Sequence, residues 1–119
     1  MTNYLIISNS NELVRIAPER IVYISSDGNY SLLVQSDDQT RILSFQLGEL
    51  ERMISEQLGT SGNVFIRIGR SLIINRLYVY HIDVPKQKLI LSDCRTVNRT
   101  VTASVAALKQ LKELLESEL

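Results

Sequence analysis

Short apolar runs separated by turn-forming residues fill the first third of the chain. Tyr4 to Ser8 is apolar and stops at Asn9-Ser10-Asn11, and Leu13 to Ile16 reads as the returning strand of a hairpin. Ala17-Pro18-Glu19-Arg20 breaks the pattern, because proline fixes φ and removes a backbone donor. Ile21 to Ser25 resumes it with β-branched and aromatic residues. Asp27-Gly28-Asn29 is a strong turn signal, since Gly and Asn reach positive φ at little cost. Tyr30 to Gln35 then runs back, Ser36-Asp37-Asp38-Gln39 turns again, and Thr40 to Leu43 completes an antiparallel meander.

The period then changes. Leu47, Leu50, Ile54 and Leu58 recur at spacings of three and four, which predicts an amphipathic helix capped by Ser44 and ending near Gly59. Glu49, Glu51, Arg52 and Glu56 lie mainly off that stripe. Thr60-Ser61-Gly62-Asn63 reads as a loop, and Val64 to Ile68 as a strand. Between Arg70 and Arg76 the unbroken triplet Leu72-Ile73-Ile74 suits either a buried strand or a tight turn of helix. Leu77 to Asp83 alternates as a strand, Pro85-Lys86-Gln87 turns, and Lys88 to Leu91 pairs back. After a turn at Ser92-Asp93-Cys94, Arg95 to Val97 is expected as a short final strand. From about Ala103 to residue 118, Val105, Leu108, Leu111, Leu115 and Leu119 form a helical stripe with Leu114 beside it. That helix can pack on its own sheet or on a second copy. The predicted class is mainly β, with one internal short helix and a C-terminal helix, and residues 1–119 form a single domain.

Composition removes several alternatives. The chain has 119 residues, 45% hydrophobic and 22% charged, enough for a core and too apolar for disorder. No apolar run reaches the roughly 18 residues of a membrane span. The first residues lack both a basic start and a small-residue cleavage site. A single cysteine, Cys94, cannot close an internal disulfide, which fits a reducing, cytoplasmic location. Asn98-Arg99-Thr100 matches a glycosylation acceptor, and since no secretion is expected the match reads as accidental.

Charge changes the picture more. The net is zero, with 13 basic and 13 acidic residues, which argues mildly against a nucleic-acid partner. The distribution is uneven: Met1 to Ile66 carries 4 basic and 8 acidic residues, while Arg67 to Arg99 carries 7 basic and 2 acidic ones. A basic segment on a neutral chain forms either a local electrostatic footprint or an ordinary solvated face. Catalytic chemistry is poorly supported. The one histidine, His81, alternates with Val79 and Asp83 on a predicted strand and reads as a sheet-surface residue. There is no phosphate-binding glycine loop, nucleophile elbow or His/Cys metal pair, so neither enzyme activity, metal nor cofactor is expected.

One segment goes further. Phe65-Ile66-Arg67-Ile68, then Arg70-Ser71, then Ile74-Asn75, followed by Val79 and Ile82, resembles the LytTR family of bacterial DNA-binding domains. So do Ile21-Val22-Tyr23-Ile24 with Gly28-Asn29-Tyr30, the helix around Leu47 to Ile54, and Val97-Asn98-Arg99 before a leucine-rich helix. The ordered matches span nearly the whole chain. Gly69 departs from them, since many members carry histidine there. The resemblance implies antiparallel strands in a compact, layered β arrangement. It also implies loops, rather than a recognition helix, entering the major groove of double-stranded DNA in transcription regulation. The family's three base-contacting loops correspond by position to Asn29-Tyr30, Arg70 and Arg99.

The chemistry at these positions is unequal. Arg70 and Arg99 offer planar forks that match guanine O6 and N7. Tyr30 offers a hydroxyl or a ring for a thymine methyl. Asn29 shapes its turn or touches the backbone. Arg67, Ser71, Lys86, Lys88 and Arg95 are expected on phosphates, and Arg67 alternatively pairs with a carboxylate on the protein. Asn75 is expected to hold a turn, and Ile66, Ile68, Ile73 and Ile74 to be core. The 119 residues leave no room for the receiver domain of a response regulator, so the sequence reads as either a stand-alone regulator or an excised output domain. The resemblance also implies paired direct repeats as sites, which would take two copies, with the C-terminal leucine stripe as a candidate homodimer contact; neither a membrane nor a small-molecule substrate is expected as partner. The competing function is a β-rich protein-interaction module of the same fold that does not bind DNA. Single-stranded nucleic acid fits less well, because Tyr30 alone among the aromatics sits in an obvious loop.

Overall fold

A computed structural model describes residues 3–119, and its strands assemble into three antiparallel sheets. β1 (Leu5–Ser8) and β2 (Leu13–Ile16) form the expected hairpin. β3 (Ile21–Asp27), β4 (Tyr30–Gln35), β5 (Thr40–Leu43), β6 (Phe65–Ile68) and β7 (Leu72–Asn75) build a five-stranded sheet in the order β5-β4-β3-β7-β6. β8 (Val79–Asp83), β9 (Lys88–Ser92) and β10 (Asn98–Thr102) form a three-stranded sheet in the order β10-β9-β8. Helix α1 (Leu47–Leu58) lies between β5 and β6 in sequence, and α2 (Val105–Glu116) follows β10.

The five-stranded sheet is the middle layer. On one face Ile24, Leu33 and Ile73 pack with Leu5 and Ile7 of the hairpin and Leu50 and Ile54 of α1. On the other face Val22, Val34 and Ile74 pack with Leu89 and Leu91 of β9 and Leu108 and Leu111 of α2. A strand covered on both faces has no polar side to display, which is why Leu72-Ile73-Ile74 is an unbroken apolar run. The ambiguity there resolves to a strand, with Leu72 and Ile74 in one core and Ile73 in the other. Buried Asn75 ends that strand as expected: its Nδ2 donates to the Ile21 carbonyl at 3.0 Å and its Oδ1 accepts from the Leu77 N–H at 3.0 Å. The C-terminal stripe is likewise spent on the molecule's own sheet, since Leu108 and Leu111 are buried there, while Val105, Leu114 and Leu119 stay exposed.

Four local expectations are corrected. The cap of α1 is Gln46, not Ser44: Gln46 and Glu49 form a reciprocal capping box, and the intervening Phe45 is buried with its carbonyl accepting from Ser31 Oγ at 2.7 Å. The run at residues 60–63 is not an open loop but part of a 3-10 helix, Gly59–Val64, in which Gly62 presses against Ile54. Leu77 does not begin the next strand, because Arg76–Tyr78 forms a 3-10 turn capped by Asn75. Arg95 to Val97 is not a strand. Asp93 gathers the N–H groups of Arg95, Thr96 and Val97 at 2.9 to 3.0 Å and curls that segment into a turn, so the last strand is β10.

Candidate nucleic-acid interface

Pairing of β3 with β7 decides which turns lie together. Ser25 faces Leu72, and the Ser26 N–H donates to the Ser71 carbonyl at 2.9 Å. The β3–β4 turn at Asp27-Gly28-Asn29-Tyr30 and the β6–β7 turn at Gly69-Arg70-Ser71 therefore emerge side by side at one end of the five-stranded sheet. Gly28 has φ +63° and Gly69 φ +56°, and each allows its strand to reverse within two or three residues. Tyr30 is 52% exposed at this end. Arg70 is exposed, and its guanidinium has no ion pair or hydrogen bond among the described residues. Asn29 and Ser71 are exposed beside them. At Gly69 an added side chain would meet open space, so the glycine is there for its left-handed backbone rather than for a close approach.

Arg67 stands apart from its neighbours. It sits on β6, where Nη1 meets Glu51 of α1 at 3.1 Å and Nη2 donates to the Arg70 carbonyl at 3.0 Å. Of its two expectations the carboxylate pair is the one formed, and the same fork braces the turn that carries Arg70. The start of α2 borders this end as well. Ala107 and Gln110 line a shallow groove with Gly69, and the Ala103 N–H donates to the Gln87 carbonyl at 3.3 Å in the β8–β9 turn. That turn brings exposed Lys86 and Lys88 next to the capped start of α2, where Ser104 Oγ accepts from the Ala107 N–H. Gln110 carried no signal in sequence: it is one polar residue on the solvent side of a helical stripe, and only the docking of α2 brings it beside Gly69.

The remaining residues are at the other end. Arg99 on β10 donates through Nε to Asp38 Oδ1 at 2.8 Å and through Nη2 to the Asp38 carbonyl at 3.1 Å. Asp38 lies in the β4–β5 turn with φ +68°, one full strand length from Tyr30. Carboxylate contact raises the already high pKa of this guanidinium further. Arg95 is exposed on the β9–β10 turn, which Asp93 holds together, and the backbone N–H groups of Arg95, Val97 and Thr96 keep the Asp93 carboxyl below its ordinary range. That turn neighbours Tyr78, whose hydroxyl donates to the Glu19 carbonyl at 2.6 Å and whose pKa is raised by burial. The structure thus brings together Asn29, Tyr30, Arg70 and Ser71, borders them with Lys86 and Lys88, and sets Arg95 and Arg99 away from them. Among the described residues no group of three or more His, Cys, Asp or Glu side chains could hold a metal, and no helix is long and apolar enough to cross a membrane.

Comparison with known proteins gives a family and a fold. A family model described as LytTr DNA-binding domain matches residues 11–116. Among solved structures, a LytTr DNA-binding domain from Bacillus cereus superposes with a TM-score of 0.64 over 97% of this chain and 98% of that one, at 17% identity, a likeness of fold. No curated protein matches the chain.

Proposed function

We propose that this chain, which belongs to the LytTR family of DNA-binding domains, binds duplex DNA sequence-specifically in bacterial transcription regulation through the end of its five-stranded sheet where Tyr30 and Arg70 emerge. The observation that carries this reading is the pair of adjacent turns bearing an exposed tyrosine and an unpartnered arginine. A free guanidinium on a braced turn suits the O6 and N7 edge of guanine, at about 1–3 kcal/mol of discrimination for a good bidentate contact. Tyr30 sits where its hydroxyl or ring can meet the neighbouring base. Asn29, Ser71, Lys86 and Lys88 surround these two and supply contacts to phosphate, which orient the domain and make binding salt-dependent.

Arg99 and Arg95 we assign differently from the resemblance. Arg99 ties the three-stranded sheet to the β4–β5 turn, and Arg95 lies at the same far end, so readout falls to the two turns alone. Arg67 acts on DNA through the shape of the Arg70 turn. Two copies on paired direct repeats remain compatible with this arrangement, and any pairing through α2 would use the exposed Val105 and Leu114, with Leu119 just beyond its end. Such a regulator acts in the cytoplasm, on the chromosome. Selection of bound sequences from a random duplex pool tests the function. Enrichment of a motif containing guanine, relaxed at one position by Arg70→Ala with an unchanged melting temperature, is the expected result. Absence of enrichment at low salt would instead favour a protein-interaction module of the same fold.

A further inference from the structure

A second charged feature lies away from the DNA-facing turns. The β1–β2 hairpin, the Ala17–Arg20 link and strands β4 and β5 enclose a groove of about 490 Å³. Three elements each contribute one arginine to its lining: Arg15 from β2, Arg20 from the link and Arg41 from β5. None of the three has an ion pair or a side-chain hydrogen bond among the described residues, whereas Arg67, Arg76 and Arg99 are paired with Glu51, Glu118 and Asp38. Glu19 is the single carboxylate lining the groove. Asp37, just outside it, feels the charge of Arg20, and its Oδ1 accepts from both the Gln39 N–H at 3.0 Å and the Gln35 amide at 3.3 Å.

Like charges converging on one concavity repel one another, and an anion relieves that repulsion. The guanidinium is also the side chain whose planar fork matches phosphate oxygens two at a time. Arg15 is already oriented, with its Cζ 4.6 Å from the centre of the Tyr4 ring. The space exceeds what a single phosphate fills and lies within the range of about 300–1,000 Å³ typical of small-molecule sites. Tyr4 and Val14 give one wall an apolar surface. We propose that this groove binds an organic phosphate of nucleotide size, carrying at least two phosphate groups, which engage Arg15, Arg20 and Arg41 while the organic part lies against Tyr4 and Val14. Gln35, which also lines the groove, is five residues along β4 from Tyr30, roughly 17 Å at strand spacing, so ligand and DNA need not compete.

Calorimetric titration of the full chain with ATP, GTP and inorganic triphosphate tests the proposal independently of the DNA reading. ATP or GTP is expected to bind saturably at one site, and combined Arg15→Ala and Arg41→Ala to weaken it about tenfold or more. Amide shifts should be confined to the residues around Tyr4, 14–20 and 35–41. Arg70→Ala should leave nucleotide binding intact, and the double variant should still bind DNA. All three arginines are exposed, so their replacement leaves the core untouched. No saturable binding of either nucleotide at millimolar concentration, or binding lost with Arg70→Ala instead, would overturn the site. Triphosphate binding as tightly as ATP would overturn the organic part of the ligand.

Discussion

Arg67 and Arg70 lie three residues apart and carry the same side chain, yet their surroundings give them different tasks. Arg67 is held from both sides, by a carboxylate of α1 and by the carbonyl of Arg70 itself, while the Arg70 guanidinium has no partner among the described residues. Removing the Arg67 fork should loosen the turn without deleting a phosphate contact. Arg67→Ala is therefore expected to cost about 1 kcal/mol of stability and to weaken DNA binding several-fold. The slope of log K against log salt should not change. A slope that falls by about 0.9, the signature of one lost phosphate contact, would return Arg67 to the DNA backbone. Nothing local distinguishes the two arginines in sequence. Glu51 is 16 residues from Arg67, and Asp38 is 61 from Arg99, so the partners that immobilise these cations are set by the fold. Asn75 was legible by contrast, because one of its two bonds is to a backbone group two residues away.

At the level of elements, the short-range signals read well and the exceptions have causes. The hairpin, the meander and the stripe of α1 follow from period and turn chemistry, which act within a few residues. The final strand was misplaced because Asp93 diverts three successive N–H groups into a turn, and a single carboxylate with that capacity looks in sequence like any other loop aspartate. For α2 the stripe was plain but its target was not, since an apolar helix face fits a sheet or a second copy equally well. Its docking now separates leucines that looked alike. Leu111 is 2% exposed against Leu89 and Leu91, whereas Leu114 is 38% exposed. Leu111→Ala should cost about 2–4 kcal/mol, the usual range for emptying a buried leucine site, and Leu114→Ala under about 1 kcal/mol. Chemical denaturation of the two variants measures both. Equal, small losses would mean that α2 is not part of this core. For the same reason a chain ending near Val101 should unfold rather than dissociate.

Across the whole molecule, charge along the chain and charge on the surface part company. Of the seven cations between Arg67 and Arg99, Arg67, Arg76 and Arg99 are neutralised by acids from other segments, and the segment with excess acid contributes the three unpaired guanidiniums of the N-terminal groove. What remains for DNA is a small set at one end, Arg70 with Lys86 and Lys88, which suits a protein of zero net charge that needs a local footprint rather than a global one. Two lysines on phosphate imply a salt slope of about −1.8 for each bound copy. Lys86→Ala and Lys88→Ala should each lower that slope by about 0.9, Arg70→Ala should relax base preference, and Arg95→Ala and Arg99→Ala should leave the slope unchanged. Arg99→Ala should instead lower stability by up to about 1 kcal/mol, because its pair with Asp38 is only half shielded from solvent. Filter binding or fluorescence anisotropy across a salt series, beside thermal melts of the same variants, separates the two ends. If Arg99→Ala relaxed base preference and reduced the slope with the melt unchanged, Arg99 would have to leave Asp38 on binding. The far end would then swing toward the groove as a third reading element, and the two-turn interface would be incomplete.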